Sequence, residues 1–519
     1  MKNNLTPLDF GTAGIRGIVG KGINRLSRAH VQRIAHGYAK YLLNKYIDKN
    51  EIKIVIGRDS RRYSYKYASV MADIFSQYDK FKIIISKNII PTPFVSYLII
   101  KHDAQGGINI TASHNPYLYN GIKLYNNYGA QCLPDEIKEI KSFFKPYDNY
   151  SENYRAKFPL NIKNKIQTNI NQEKNEYINQ VLNVGGQYKF AHINQIKFVY
   201  SNLHGAGLDF ALAIFKKLKF RQNIDYFLPQ EQIKLDKNFP TCPFPNPELI
   251  EVYNESEKLA LKYKADAIIV TDPDADRIGV KIKHQNEYIL LNGNETATLI
   301  FDFILKNTHN IKPNSYLIYS YVSSNLPALI AQKHGINSYV VPTGFKWISK
   351  FITQNQANYL YGFEESYGSL IDPTISRDKD AIQSIVILLK MIDFYKQQSK
   401  TLVDILHEIY QEYGYMSSQS INVDLTQDFN FESLQDLFKN LNLENKIVED
   451  FNLKKDYMNS NMIKIGFDNN NDWIALRPSG TEPKVKFYIF AYGHNYQNSI
   501  QKLNFYQRKI EDLLTKLNQ

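Results

Sequence analysis

The sequence predicts an α/β fold: three successive mixed α/β domains followed by a smaller α+β domain. Short β-branched runs alternate with longer stretches of helical periodicity over most of the chain, the signature of βαβ units on a parallel-rich sheet. A polar stretch rich in Asn, Lys and Tyr from Asp148 interrupts that alternation, and beyond Gly414 the pattern changes to strands with one closing helix. The 519 residues exceed what one core holds, at roughly 100–200 residues per domain. The expected domains are 1–152, 153–290, 291–414 and 415–519.

In the first domain, IKIVIG from Ile52, FKIIIS from Phe81 and GGINITAS from Gly106 read as strands. Ala68, Met71, Ala72 and Phe75 recur at helical intervals, so a helix joins the first two. The alternation restarts with IKFVYSNLHGAG from Ile196 and ADAIIVTDPDADRIGVKIK from Ala265, then with NSYLIYSYVSS from Asn314 and ANYLYGFEES from Ala357. TLVDILHEIYQEYG from Thr401 reads as an amphipathic helix closed by Gly414. In the tail SINVDL, MIKIGF, WIALRPSG and KVKFYIFAY supply strands, and NSIQKLNFYQRKIEDLLTKL from Asn498 supplies the final helix.

Hydrophobic residues make up 43% of the chain and charged residues 22%, which excludes wholesale disorder. A net charge of +12 favours anionic partners, and nucleic acid, an anionic membrane and phosphorylated metabolites all satisfy it. Local motifs decide among them. Two distant cysteines, Cys132 and Cys242, exclude a disulfide framework or CxxC metal knuckle and fit a reducing compartment. The start MKNNLTPLDFGT has no apolar leader, and SIVILLKMI from Ser384 falls short of the ~18–20 residues of a membrane span, so a cytoplasmic protein is expected.

Four segments carry chemistry. In GGINITASHNPYLYNGIKLY a strand delivers Ser113 into an exposed turn as a phosphoryl acceptor and donor, with His114 and Lys123 available for proton handling or phosphate pairing. In ADAIIVTDPDADRIGV an extended backbone would point Asp272, Asp274 and Asp276 the same way, toward one hard cation such as magnesium; Arg277 and Lys283 exclude an EF-hand. In YGFEESYGSLIDPTISRDKDA, Glu364 and Ser366 suit sugar hydroxyls, while Arg377 and Lys379 suit a phosphate. In ALRPSGTEPKVKFYIFAY, Arg477, Ser479, Gly480 and Thr481 form an anion nest between strands. FGTAGIRGIVG carries Arg16 but lacks the order of a dinucleotide site, and no GxxxxGK[ST] loop exists.

Together, in this order, these loops resemble the α-D-phosphohexomutase family: phosphoserine loop TASHNP, metal loop DPDADR, sugar loop FEES and phosphate loop RPSGTEP. FGTAGIRG, PTPFVSYLI from Pro91, FPNPE from Phe244 and PTGFKWI from Pro342 agree, and the details look nearest the long-chain phosphoglucomutase and phosphopentomutase-like branch. The resemblance implies three related α/β domains and a TATA-box-binding-protein-like lid around a central cleft. It implies that Ser113 is carried as phosphoserine and that one Mg2+ is held by Asp272, Asp274, Asp276 and that phosphate. Lys123, assisted by Arg16, is the preferred proton-transfer group, with His114 the alternative. Arg277, Gly344, Lys346, Glu364, Ser366 and Lys379 would contact the sugar phosphate, and Arg477, Ser479, Gly480 and Thr481 would grip the distal phosphate. One departure stands out: Tyr367 and Gly368 follow the sugar-loop serine where many phosphomannomutase-type members have a histidine.

The implied activity exchanges the 1- and 6-phosphates of a hexose, glucose first and mannose second, with glucose 1,6-bisphosphate as intermediate and activator. A phosphopentomutase is the near alternative. A non-enzymatic, nucleic-acid-binding protein is the distant one, because no basic helix or interleaved aromatic module is present. A phosphosugar substrate, no nucleic-acid or membrane partner, and a monomer or weak homodimer are expected.

Overall fold

A computed structural model describes residues 7–11, 14–156, 166–167, 169–186, 188–190, 195–424, 431–468, 470–478 and 484–517. Four sheets follow one another along the chain. The first orders its strands Phe10–Gly11, Gly14–Ile18, Tyr119–Tyr125, Gly106–Ile110, Ile52–Arg58, Phe81–Ile85 and Ile166–Gln167. Ile52–Arg58 is parallel to both its neighbours, with helix Ser64–Ser76 as the crossover expected from the Ala68–Phe75 spacing. The last strand lies beyond the expected limit at 152, so the first sheet recruits chain from past the polar stretch.

Tyr119–Tyr125 returns antiparallel beside Gly106–Ile110, in a register that sets Asn109 opposite Lys123. An antiparallel pair needs no crossover helix, so a short turn joins them, and that turn carries Ser113. The same device recurs. In the second sheet (Glu287–Leu291, Ile278–His284, Ala267–Thr271, Phe198–Ser201, Tyr226–Phe227) an antiparallel pair encloses residues 272–277. In the third (Asn337–Val341, Tyr316–Ser320, Tyr359–Glu364, Gly368–Leu370) another encloses residues 365–367. The expected cut at 290 falls inside Glu287–Leu291, the edge strand of the second sheet.

The fourth sheet is antiparallel throughout, ordered Tyr415–Asp424, Lys484–Gly493, Asn470–Pro478, Ile463–Phe467 and Lys446–Asp450, with helices Phe431–Lys439 and Tyr496–Leu517. Arg477 lies near the end of Asn470–Pro478, whereas Ser479, Gly480 and Thr481 lie outside the described residues.

The SIVILLKMI run belongs to helix Ala381–Lys396, which is apolar on nearly every face because helices Asn171–Val181, Leu208–Lys217 and Gly293–Lys306 all pack against it. Among the described residues no helix is long and apolar enough to cross a membrane. One hydrophobic core runs continuously from the first sheet to the fourth. At its junction the Phe94 ring lies 5.3 Å from that of Tyr177 and 4.9 Å from that of Phe210. Phe94→Ala should therefore cost about 3–5 kcal/mol of stability, read by urea denaturation; a change below ~1 kcal/mol would show that this seam is not packed.

Candidate active site

Ser113 is not exposed as the sequence suggests. It retains 1% of its surface, at a left-handed φ of 51°, with its backbone N–H donating to Thr111 Oγ1 at 2.8 Å. Its hydroxyl donates to Asp272 Oδ2 at 2.7 Å and lies 3.3 Å from His114 Nδ1. The enclosing wall comes from the second domain, where Tyr117 N donates to Pro243 O at 2.9 Å and Phe244 of FPNPE stacks near His114.

What holds this turn is Arg61, a residue the sequence does not single out. Its guanidinium, 3% exposed, donates to the carbonyls of Ser113, Asn115, Pro116 and Tyr119 at 2.5–3.0 Å. Nε faces Asp59 Oδ2 at 3.3 Å, and the cation lies 5.0 Å from the Phe239 ring. Its neighbour Arg62 is exposed, and no local signal separates the two.

The three aspartates converge, but not along an extended backbone. Residues 272–277 form a tight turn with Ala275 at φ 51°, and one oxygen from each carboxylate lies within 4.8 Å of the others. Gly205 permits this packing: a Cβ there would come within 2.2 Å of Pro273 Cα. Asp272 and Asp274 are wholly buried and Asp276 is 1% exposed.

Three buried carboxylates need compensating charge. Lys123 Nζ lies 2.7 Å from both Asp274 Oδ2 and Asp276 Oδ2, and Lys379 Nζ lies 3.4 Å from Asp276 Oδ2. Burial opposes the charged form of Lys123, but Asp274 and Asp276 outweigh it and push its ammonium above the usual range. Burial likewise opposes ionisation of Asp274, and Lys123 with the Thr92 hydroxyl reverses this to hold the carboxyl low. Asp272 goes the other way, raised by burial and by Asp274 and Asp276.

The donor set fits a hard divalent cation. It is all oxygen, and Asp274 Oδ1 and Asp276 Oδ1 are buried without a hydrogen-bond partner. Arg16 donates to Asn115 Oδ1 at 2.6 Å, and Arg277 reaches Glu248 of FPNPE at 3.2 Å. Burial, together with Arg277, Arg16, Arg61 and Lys123, pushes the His114 imidazole well below its usual range, which leaves it neutral.

The sugar loop joins this cluster through a hydrogen bond from Ile278 N to Tyr367 O at 3.1 Å. Glu364 Oε1 accepts the N–H of Gly344 at 2.7 Å, and Gly344, at φ 112°, opens helix Phe345–Asn355, which carries Lys346 in its first turn. Burial lowers Lys346 and raises Glu364, the latter opposed by Lys379. Ser366 is half-buried on the turn itself. Arg377 is not the phosphate cation the sequence suggests, because its guanidinium donates to Pro373 O, Gln356 Oε1 and Thr353 Oγ1. From the fourth domain, Arg477 donates to Thr343 Oγ1 at 2.9 Å across a cavity of about 240 Å³ that Lys346 also lines.

Residues 7–151, 175–285 and 292–413 match the phosphoglucomutase/phosphomannomutase α/β/α domains I, II and III respectively. The chain is 32% identical to a phosphoglucomutase of Staphylococcus aureus and 34% identical to one of Staphylococcus haemolyticus, covering 96% of this chain and 92% and 93% of theirs. Its fold is shared with parafusin, a phosphoglucomutase from Paramecium solved in an open form, at a TM-score of 0.73 and 17% identity over 98% and 96% of the two chains. A phosphoglucomutase/phosphomannomutase family protein from Burkholderia thailandensis gives a TM-score of 0.72 at 16% identity over 98% and 97%. A buried serine bonded to one of three clustered aspartates, two lysines reaching that cluster from separate domains and these likenesses converge, and the chain belongs to the α-D-phosphohexomutase family of phosphotransferring mutases.

Proposed function

We propose that the enzyme interconverts glucose 1-phosphate and glucose 6-phosphate, with the mannose pair as a second substrate, by passing a phosphoryl group through Ser113. The observation that carries this is the Ser113 hydroxyl, 2.7 Å from Asp272 and inside a buried cluster of three carboxylates and two ammonium groups. The name of the staphylococcal relatives favours glucose over a pentose phosphate.

With Ser113 phosphorylated, the free hydroxyl of a sugar monophosphate attacks phosphorus. The bond to Ser113 Oγ breaks, a bond to the sugar oxygen forms, the hydroxyl proton leaves to a basic side chain, and the departing Ser113 oxygen takes up a proton to return as the hydroxyl. The product, a sugar 1,6-bisphosphate, turns over and returns its other phosphoryl to Ser113. Phosphoryl transfer asks mainly for alignment and for cancellation of charge on the equatorial oxygens. Lys123, Lys379, Arg16 and Arg277 are the cations placed for that. Lys123 Nζ, 2.7 Å from Asp274 and Asp276, and His114 Nδ1, 3.3 Å from Ser113 Oγ, are the two groups of this reading that handle the transferred proton, Lys123 with Arg16 first and His114 the alternative.

Asp272, Asp274 and Asp276, with a phosphate oxygen on Ser113, would hold one Mg2+ per chain. Bound there, the ion would supply positive charge to the phosphoryl oxygens. Glu364 and Ser366 would read the sugar hydroxyls beside Gly344 and Lys346. Arg477 with Ser479, Gly480 and Thr481 would hold the phosphate that is not reacting. We keep domain limits near 152, 290 and 414 as part of this reading, in line with the order of the four sheets apart from strand Ile166–Gln167 in the first and strand Glu287–Leu291 across 290, along with a monomer or weak homodimer and a cytoplasmic, reducing compartment, the last suited by the two buried free cysteines.

Ser113→Ala should lower turnover of glucose 1-phosphate by several orders of magnitude and remove a phosphate that mass spectrometry otherwise finds on the TASHNP peptide; wild-type turnover would sink the carrier role. Arg477→Ala should raise KM about ten- to hundredfold, the range of one charge-assisted hydrogen bond, with kcat changing less. An unchanged KM would show that the fourth domain does not grip substrate. Comparable kcat/KM for ribose 1-phosphate would overturn the hexose assignment.

A further inference from the structure

Thr92 belongs to the PTPF segment and begins helix Thr92–Lys101. It is fully buried, and both of its polar groups face the second domain. Its backbone N–H donates to the carbonyl of Asp274 at 2.8 Å, so the metal loop satisfies one of the donors that a helix start leaves open. Its hydroxyl lies 2.6 Å from Asp274 Oδ2, 2.8 Å from Asn109 Nδ2 and 3.4 Å from Lys123 Nζ. An ammonium can only donate, as can an amide nitrogen, so the single hydroxyl proton is directed at Asp274.

The carboxylate is thereby made asymmetric. Oδ2 is occupied by Thr92 and Lys123, while Oδ1 is buried and has no partner. Register explains why this chain of donors forms: Asn109 and Lys123 sit opposite each other on adjacent strands, so both side chains leave one face toward Thr92. We propose that Thr92 is a positioning residue for the cation, a clamp from the first domain that fixes the plane of the Asp274 carboxylate and presents Oδ1 as the ligand atom. The proposal rests on the metal reading above and adds to it a specific outer partner, of the kind whose loss weakens metal binding about 10–100-fold.

The test measures Mn2+ binding to the whole enzyme by electron paramagnetic resonance in wild type, Thr92→Val, Thr92→Ser and Asp274→Asn. Thr92→Val keeps the side-chain shape and removes the hydroxyl; it should weaken Mn2+ about 10–100-fold, with a modest drop in the melting temperature of the metal-free protein because the buried Asn109 amide loses this acceptor. Thr92→Ser restores the hydroxyl and should restore the affinity. If the valine variant does not fold, Thr92→Ala removes the same hydroxyl from a smaller side chain, and the same loss is expected. Wild-type Mn2+ affinity in the hydroxyl-free variant, with affinity lost in Asp274→Asn, would overturn the role of Thr92 alone. Unchanged affinity in Asp274→Asn would overturn the metal reading and this proposal with it.

Discussion

Three carboxylates confined to one turn and withdrawn from water dictate the arrangement around them. Left unpaired, buried charges of one sign are prohibitive, so compensation has to arrive from elsewhere in the chain. Lys123 comes from the first sheet and Lys379 from the segment before helix Ala381–Lys396, and the Ser113 hydroxyl and Thr92 complete the set. Each partner lies more than a hundred residues from its aspartate in sequence or in a different sheet. Satisfying the turn therefore fixes how three domains meet. The apolar junction around Phe94 is consistent with a seam that is packed shut beside the charged cluster.

The connection type explains why the functional side chains sit where they do. A parallel strand pair needs a crossover of a dozen or more residues, but an antiparallel pair closes with a few. Residues 111–118, 272–277 and 365–367 each join antiparallel neighbours within a mixed sheet. Short turns anchored at both ends by strands place a side chain more tightly than long loops do. Arg61 shows how far this goes: one buried guanidinium gathers four carbonyls of the 111–119 segment, which leaves Ser113 little freedom in a conformation that L-residues seldom adopt.

Much of this was legible in the sequence, and the limits have a physical origin. Strand runs such as IKIVIG and ADAIIV carry their own period and hydrophobicity, so they fold where local reasoning puts them. The motif loops announce their chemistry by residue type, and Ser113, Lys123, Asp272, Asp274, Asp276 and Lys379 do come together. What local reasoning misses is set by contacts distant in sequence. The burial of Ser113 depends on walls from the second domain, and the choice of Arg61 over Arg62, or of Lys379 over Arg377, depends on which way the backbone turns. The strand Ile166–Gln167 is two residues long and has no pattern to read. The aspartates were expected to align by alternation along a strand, and a turn with a left-handed Ala275 brings them together instead.

On the proposed reading, the charge in this pocket also constrains the order of events. A phosphoryl group on Ser113 adds about −1.5 to −2 charges beside three carboxylates, which the cluster in its present form would resist. A divalent cation alone would meet Lys123, Lys379, Arg16 and Arg277. Entering together, the two leave the net charge of the pocket nearly unchanged, so each favours the other, and this linkage is reciprocal. The lysines then need only shift from aspartate oxygens toward phosphoryl oxygens, a change of partner within one cluster rather than a new desolvation. A buried triad that holds its own counter-ions is thus suited to a carrier that alternates between serine and phosphoserine without opening the seam between domains.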